Sequence, residues 1–140
     1  MNIYLDIDGV LLANEKSPSR FANEFIAYVV SKYPTYWLTT HSWHGDNHVE
    51  ALLGKFFPEE TMRFIKQIKP TEWGESKTDG IDFSVPFLWF DDDLYEEEKA
   101  VLIKHNVLEN WIEVDLRKNI NMLGVFLASF PIPVTFPSLT

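Results

Sequence analysis

No cysteine occurs among the 140 residues, which excludes disulfide frameworks, thiolate metal sites and thiol nucleophiles at one stroke. No apolar run approaches the roughly 18 residues that a membrane-spanning helix requires. The first apolar stretch opens at Asn2 with no basic segment before it, so a secretory leader is not expected. Basic residues are scarce: 12 Lys and Arg stand against 21 Asp and Glu, a net charge of −9. A field of that sign opposes polyanions, so a nucleic acid partner is disfavoured and an acidic membrane surface is not expected as a partner. The expectation is a soluble, cytoplasmic chain.

Apolar material, by contrast, is plentiful. Hydrophobic residues make up 46% and aromatics 15%, enough to fill one core in a single domain spanning residues 1–140. Ile3–Tyr4–Leu5 is apolar without alternation, the pattern of a strand buried on both faces. "TYWLTT", "VPFLWFDDD" entered through Pro86, and "NWIEVD" predict three more strands. Helices are predicted over "RFANEFIAYVVSKY", capped by Ser17 or Ser19 and stopped by Pro34, and over "HVEALLGKFF", closed near Pro58. The acidic "LYEEEKAVLIKH" and the closing "NINMLGVFLASF" predict two more, with "DDDLYEEEK" past its first two acids, "EEE" included, read as a solvated helix start. "ANEKSPS" reads as a polar loop and "ESKTDGIDF" as holding a brief helical turn, whereas "TMRFIKQIKP" stays open between edge strand and helix end. Strands that alternate with helices predict an α/β fold: a Rossmann-like three-layer sandwich with a mainly parallel sheet and no sizeable cap domain.

In such sheets the ligand crevice lies beyond the carboxyl ends of the strands. Three predicted strands end there in polar groups: Asp6 and Asp8, then Thr39 and Thr40, then Asp91, Asp92 and Asp93. Two like charges about 4 Å apart repel by roughly 4 kcal/mol at an effective dielectric near 20, so converging acids of this number call for a cation. The donors are all hard oxygens, which favours Mg²⁺ over Zn²⁺. The acids would then hold a metal, and one of them is placed to attack a phosphorus atom that the metal polarises.

With these residues assembled, the chain resembles the haloacid dehalogenase-like phosphatase superfamily. Its first motif matches "YLDIDGVL", its second "YWLTT" and its fourth "FLWFDDD"; the third, a lone lysine between them, is best matched by Lys77. The resemblance spans residues 3–93. It implies that Asp6 is the nucleophile forming an aspartyl-phosphate and that Asp8 is the acid and base for the leaving oxygen and for water. Thr39 would hydrogen-bond the phosphoryl group, and Lys77 would offset its charge. Asp6, Asp91 and Asp92 would hold Mg²⁺ together with the backbone carbonyl of Asp8. Thr40 can stand in for Thr39, and Lys69 for Lys77; Asp93 lies outside the usual acid pair. The resemblance thus implies an uncapped Mg²⁺-dependent phosphatase acting on a phosphorylated substrate. The alternatives are a phosphotransferase, a nucleic acid end phosphatase, or a catalytically silent interaction domain of the same build.

The spacing His41-x-x-His44-x-x-x-His48 suggests loop or capping histidines rather than a metal site, because no third ligand stands at a suitable distance. Trp43, in the same loop, reads as a packing aromatic.

Overall fold

Asn2–Leu5 forms the first strand (β1), and all four of its residues are buried, as an unbroken apolar run dictates for a strand covered on both faces. The computed structural model describes residues 1–14, 17–41 and 48–136. Along the chain follow Leu12–Asn14 (β2), Ser17–Pro18 (β3), Ala22–Lys32 (α1), Thr35–Trp37 (β4), His48–Leu53 (α2) and Glu59–Ile65 (α3). A 3-10 turn at Lys77–Gly80 leads to Phe87–Asp91 (β5), Glu96–Lys104 (α4), Trp111–Glu113 (β6) and Met122–Ser129 (α5).

Four strands make one parallel sheet in the order β4-β1-β5-β6. The chain steps outward from β1 to β4, then returns past β1 to β5 and β6. Its direction of progress therefore reverses between β1 and β5, which opens a crevice at the carboxyl ends of those two strands. Alternate side chains serve opposite layers. Ile3, Leu5, Leu88 and Phe90 pack against α1, α2, α3 and α5 through Phe25, Leu53, Ile65 and Leu123. Tyr4, Phe87 and Trp89 pack with Leu102 of α4 and with Leu38 and Ile81 on the other face. The architecture is α/β, with helices on both faces of an all-parallel sheet, and is compatible with the expected sandwich.

Several local expectations need correction. The "ANEKSPS" stretch is not simply a loop: β2 and β3 pair antiparallel, Leu12 opposite Pro18 and Asn14 opposite Ser17. Strands of three and two residues are too short for alternation to register. Neither Ser17 nor Ser19 caps α1. Ser17 lies in β3, and the Ser19 hydroxyl donates to the Val10 carbonyl at 2.6 Å, tying the loop after β1 to the helix entry. The helix starts instead behind Phe21, whose φ of 65° is left-handed and which makes no side-chain cap. The Phe21 ring occupies the space over Gly124 of α5, where a Cβ would come within 2.7 Å of it.

The ambiguous segment after Pro58 turns out to be both alternatives in succession. Thr61–Ile65 lies within α3. Lys69 then runs parallel beside Tyr36, its N–H donating to Thr35 O at 3.0 Å and its carbonyl accepting from Trp37 N at 2.8 Å. The brief turn at Lys77 holds, the closing helix is present but shorter than "NINMLGVFLASF", at Met122–Ser129, and β4 ends earlier than "TYWLTT" suggests, at Trp37. Leu38 N still donates to Leu5 O at 2.9 Å, which keeps the residues after β4 against the end of β1. Among the described residues, no helix is long and apolar enough to cross a membrane.

Phe90 is fully buried and meets the Phe25 ring edge-on, with centroids 5.2 Å apart. Phe90→Ala is expected to cost about 3–5 kcal/mol in urea denaturation; a loss below about 1 kcal/mol would contradict the packing described.

Candidate functional site

Leu5 ends β1 and Asp6 follows it, while β5 ends in Asp91 itself. Because the strands are neighbours in register, with Asp6 N donating to Phe90 O at 3.1 Å, the two carboxyl groups emerge side by side. Asp92 joins them: one carboxylate oxygen from each of Asp6, Asp91 and Asp92 lies within 4.8 Å of the others. At that spacing each pair of like charges repels by roughly 3–4 kcal/mol at an effective dielectric near 20. Some of this repulsion is relieved within the chain. Lys77 Nζ donates to Asp6 Oδ2 at 3.0 Å and to Asp91 Oδ2 at 2.8 Å.

Lys77 reaches this position from the start of its 3-10 turn, where Ser76 Oγ accepts from Thr78 N at 3.3 Å. Glu98, in the first turn of α4, accepts a hydrogen bond from Tyr95 N at 2.9 Å, and the charge of Lys77 favours its ionised form. Glu98 is only 4% exposed, so the reading of "EEE" as a solvated helix start fails for its third residue. Burial also raises its carboxyl pKa. Burial alone would depress the Lys77 amine, but the charges of Asp6 and Asp91 outweigh it and hold the amine above its ordinary value.

Asp91 is the most constrained acid. Its Oδ2 also accepts from Trp89 Nε1 at 3.1 Å, two residues back on the same face of β5, and its Oδ1 accepts from Asp92 N at 2.8 Å. Burial first, and the negative charge of Asp6 second, push its carboxyl up to about 9 against the pull of Lys77. Asp92 is raised as well, chiefly by burial. Asp6 Oδ1 accepts from Ile7 N at 2.8 Å. Gly9 completes the turn after β1 with a φ of 78°, and a Cβ there would fall 2.3 Å from Asp92 Oδ2. A side chain at position 9 is therefore barred by both the backbone and the acid cluster.

Asp8 stands apart from the cluster. Its side chain is 57% exposed, and its Oδ2 lies 2.8 Å from His41 Nε2. His41 Nδ1 is in turn 3.4 Å from His48 Nε2 at the start of α2. Thr39 is fully buried, and its Oγ1 accepts from His41 N at 3.3 Å. Thr40 is exposed and lines the cavity in front of the acids. That cavity measures about 820 Å³. Glu75, Asp93, Glu97 and Glu98 line it beside Asp6, Asp8, Asp91 and Asp92, and Lys77 is the one amine among the described residues that does so; Trp73 and Tyr95 add an aromatic wall.

Five of the six expected site residues, Asp6, Asp8, Lys77, Asp91 and Asp92, thus line one cavity, while Thr39 lies just beyond its lining. Lys69 goes elsewhere, to the outer edge of β4 and a separate small cavity with Tyr33 and Gln67. His44 and Trp43 lie outside the described residues. Sequence reasoning missed Glu98, Trp73 and Tyr95 altogether, and it gave His41 no partner. The Asp-Gly step after a buried strand was the one available signal for the turn at Gly9. No protein-family model, curated protein or solved structure matches the chain. The donor set of Asp6, Asp91 and Asp92, three carboxylates without a softer ligand, suits a hard divalent cation.

The Asp91 proton carries a stability signature. Its pKa in the folded protein, about 9, exceeds the ordinary 3.8, so its contribution is fully present below the lower value and is lost as pH rises through the higher one. Glu98 and Asp92 act in the same direction. The raised Lys77 amine contributes evenly until more alkaline pH. In EDTA, the melting temperature is expected to fall from pH 5 to pH 9, and Asp91→Asn to flatten that fall. A wild-type melting temperature that climbs over this window would refute the assignment.

Proposed function

We propose that the chain is a Mg²⁺-dependent phosphatase that hydrolyses a phosphomonoester through an aspartyl-phosphate on Asp6. The observation that carries this reading is the Lys77 ammonium held between Asp6 and Asp91, with Asp92 beside them, at the reversal point of a parallel sheet. It is the gathering that the resemblance of residues 3–93 to haloacid dehalogenase-like phosphatases calls for. The electrostatics support it independently. A cavity lined by eight acid side chains and one amine would repel a phosphate ester unless a cation entered first. Asp6, Asp91 and Asp92, with the backbone carbonyl of Asp8, are the groups that would hold it. When bound, Mg²⁺ supplies charge neutralisation and polarises the phosphoryl oxygens.

The remaining work belongs to the chain. A carboxylate oxygen of Asp6 bonds to phosphorus as the bond to the leaving oxygen breaks, and Asp8 gives that oxygen its proton. Water then attacks the phosphoaspartate while Asp8 takes a proton from it, releasing inorganic phosphate and restoring Asp6. Lys77 offsets the charge on the transferring group and keeps Asp6 from rotating away. Thr40, exposed on the cavity wall, is the threonine placed to donate a hydroxyl hydrogen bond to the phosphoryl oxygens, since Thr39 is buried outside the lining.

The test is turnover of an aryl phosphate. Activity in millimolar Mg²⁺ is expected to vanish in EDTA, and Asp6→Asn to lower kcat by about 10³-fold or more, the scale on which nucleophile removal acts. A purified, folded wild-type protein with no Mg²⁺-dependent turnover of aryl or alkyl phosphates would end the reading in favour of a silent domain.

A further inference from the structure

Asp6 and Asp8 are both tethered, but by different parts of the chain. Lys77 holds Asp6 from the crossover before β5, whereas Asp8 is held by His41 from the segment after β4. We propose that His41 is a positioning residue for Asp8, fixing the acid–base carboxyl for proton transfer to the leaving oxygen and from the attacking water. The proposal rests on the phosphatase reading and adds to it a group that reading does not require.

The geometry argues it in three steps. First, the Asp8 side chain is more than half exposed, and an exposed carboxyl without a tether samples several rotamers. A general acid must instead stay within about 2.6–3.2 Å of the atom it protonates. Second, the tether is itself fixed. The His41 side chain is only 22% exposed, its backbone N–H donates to buried Thr39 Oγ1, and its ring stacks on that of His48 at a centroid distance of 5.5 Å and an angle of 20°. Third, the contacts define the direction of the hydrogen bonds. The Asp8 carboxylate can only accept, so His41 Nε2 carries the hydrogen directed at it; His41 Nδ1 is then left to accept from His48 Nε2 across 3.4 Å. Oδ2 of Asp8 is engaged in this way, and Oδ1 is left for the substrate in the cavity that Asp8 lines. His41 and His48, read in the sequence as loop or capping histidines, thereby acquire a more specific role.

Loss of a positioning residue for an acid has a signature that loss of packing lacks. A nitrophenolate departs without needing a proton, whereas an alkoxide needs one as its bond to phosphorus breaks. His41→Ala is therefore expected to lower kcat/KM, which reports the steps up to departure of the leaving group, for a simple alkyl phosphate by about 10–100-fold, part of the 10²–10⁴ that general acid catalysis supplies. On p-nitrophenyl phosphate the loss of kcat/KM should stay below about 3-fold. Asp8→Asn should show the same asymmetry more strongly. His41→Gln, whose amide N–H can still donate to a carboxylate, should recover part of the alkyl phosphate activity. His48→Ala provides a milder second variant should His41→Ala fold poorly, and is expected to show the same asymmetry in smaller measure.

Equal losses of kcat/KM on the two esters, or none, in an active protein would overturn the role of His41 and leave the phosphatase reading standing. Absence of activity on both esters in the wild-type protein would remove that reading and this proposal with it.

Discussion

Without the Lys77 ammonium, the ends of β1 and β5 would be poorly compatible. Adjacent parallel strands in register deliver Asp6 and Asp91 to the same place, and both are too buried for water to disperse their charge. The amine between them turns two mutually repelling groups into a bridged set. A buried pair of this kind is weak support for stability, because desolvation consumes much of the attraction. What it secures is geometry: each carboxylate is held in one orientation relative to the other. The site's electrostatic character, its shape and its need for further positive charge all descend from that arrangement.

Fixing the acids so firmly draws on the sheet and on one of its faces. Lys77 bridges Asp6 and Asp91, and Trp89 donates to Asp91 from the face that α4 covers. The turn after β1 places Gly9 against Asp92. The acids are thus supported from beneath by indole, amide and ammonium groups, while the open side keeps its exposed acids and the aromatic wall of Trp73 and Tyr95. The division between a rigid floor and a solvated mouth suits a centre that must hold charged groups still while admitting a ligand.

Much of this was legible in the residues because the strands announce themselves. Unbroken apolar runs can only be satisfied by burial on both faces, so β1 and β5, and the acids at their ends, could be located from periodicity alone. The choice between Lys69 and Lys77 could not. It depends on where the chain crosses from one face of the sheet to the other, and Lys69 is spent on the β4 edge before that crossing. Glu98 was hidden for a different reason: an acid in the first turn of a helix is already explained by the helix dipole, which masks its second use. Ser19 misled because a serine before a helix looks like a cap, whereas its hydroxyl had a closer acceptor in Val10. The antiparallel pair around β2 and β3 falls below the length at which any pattern can be seen.

The short bridge at Lys69 also bears on how the molecule meets its own copies. An outermost strand exposes a row of unpaired N–H and C=O groups on which another chain can template itself. Along β4 that row is already used, since Thr35 O and Trp37 N, the groups that point away from β1, are both bonded to Lys69. A fifth full strand therefore finds no free ladder on that side. Among the described residues, the other edge of the four-stranded sheet is β6, where three residues and the charged pair of Glu113 and Lys118 offer little to build on.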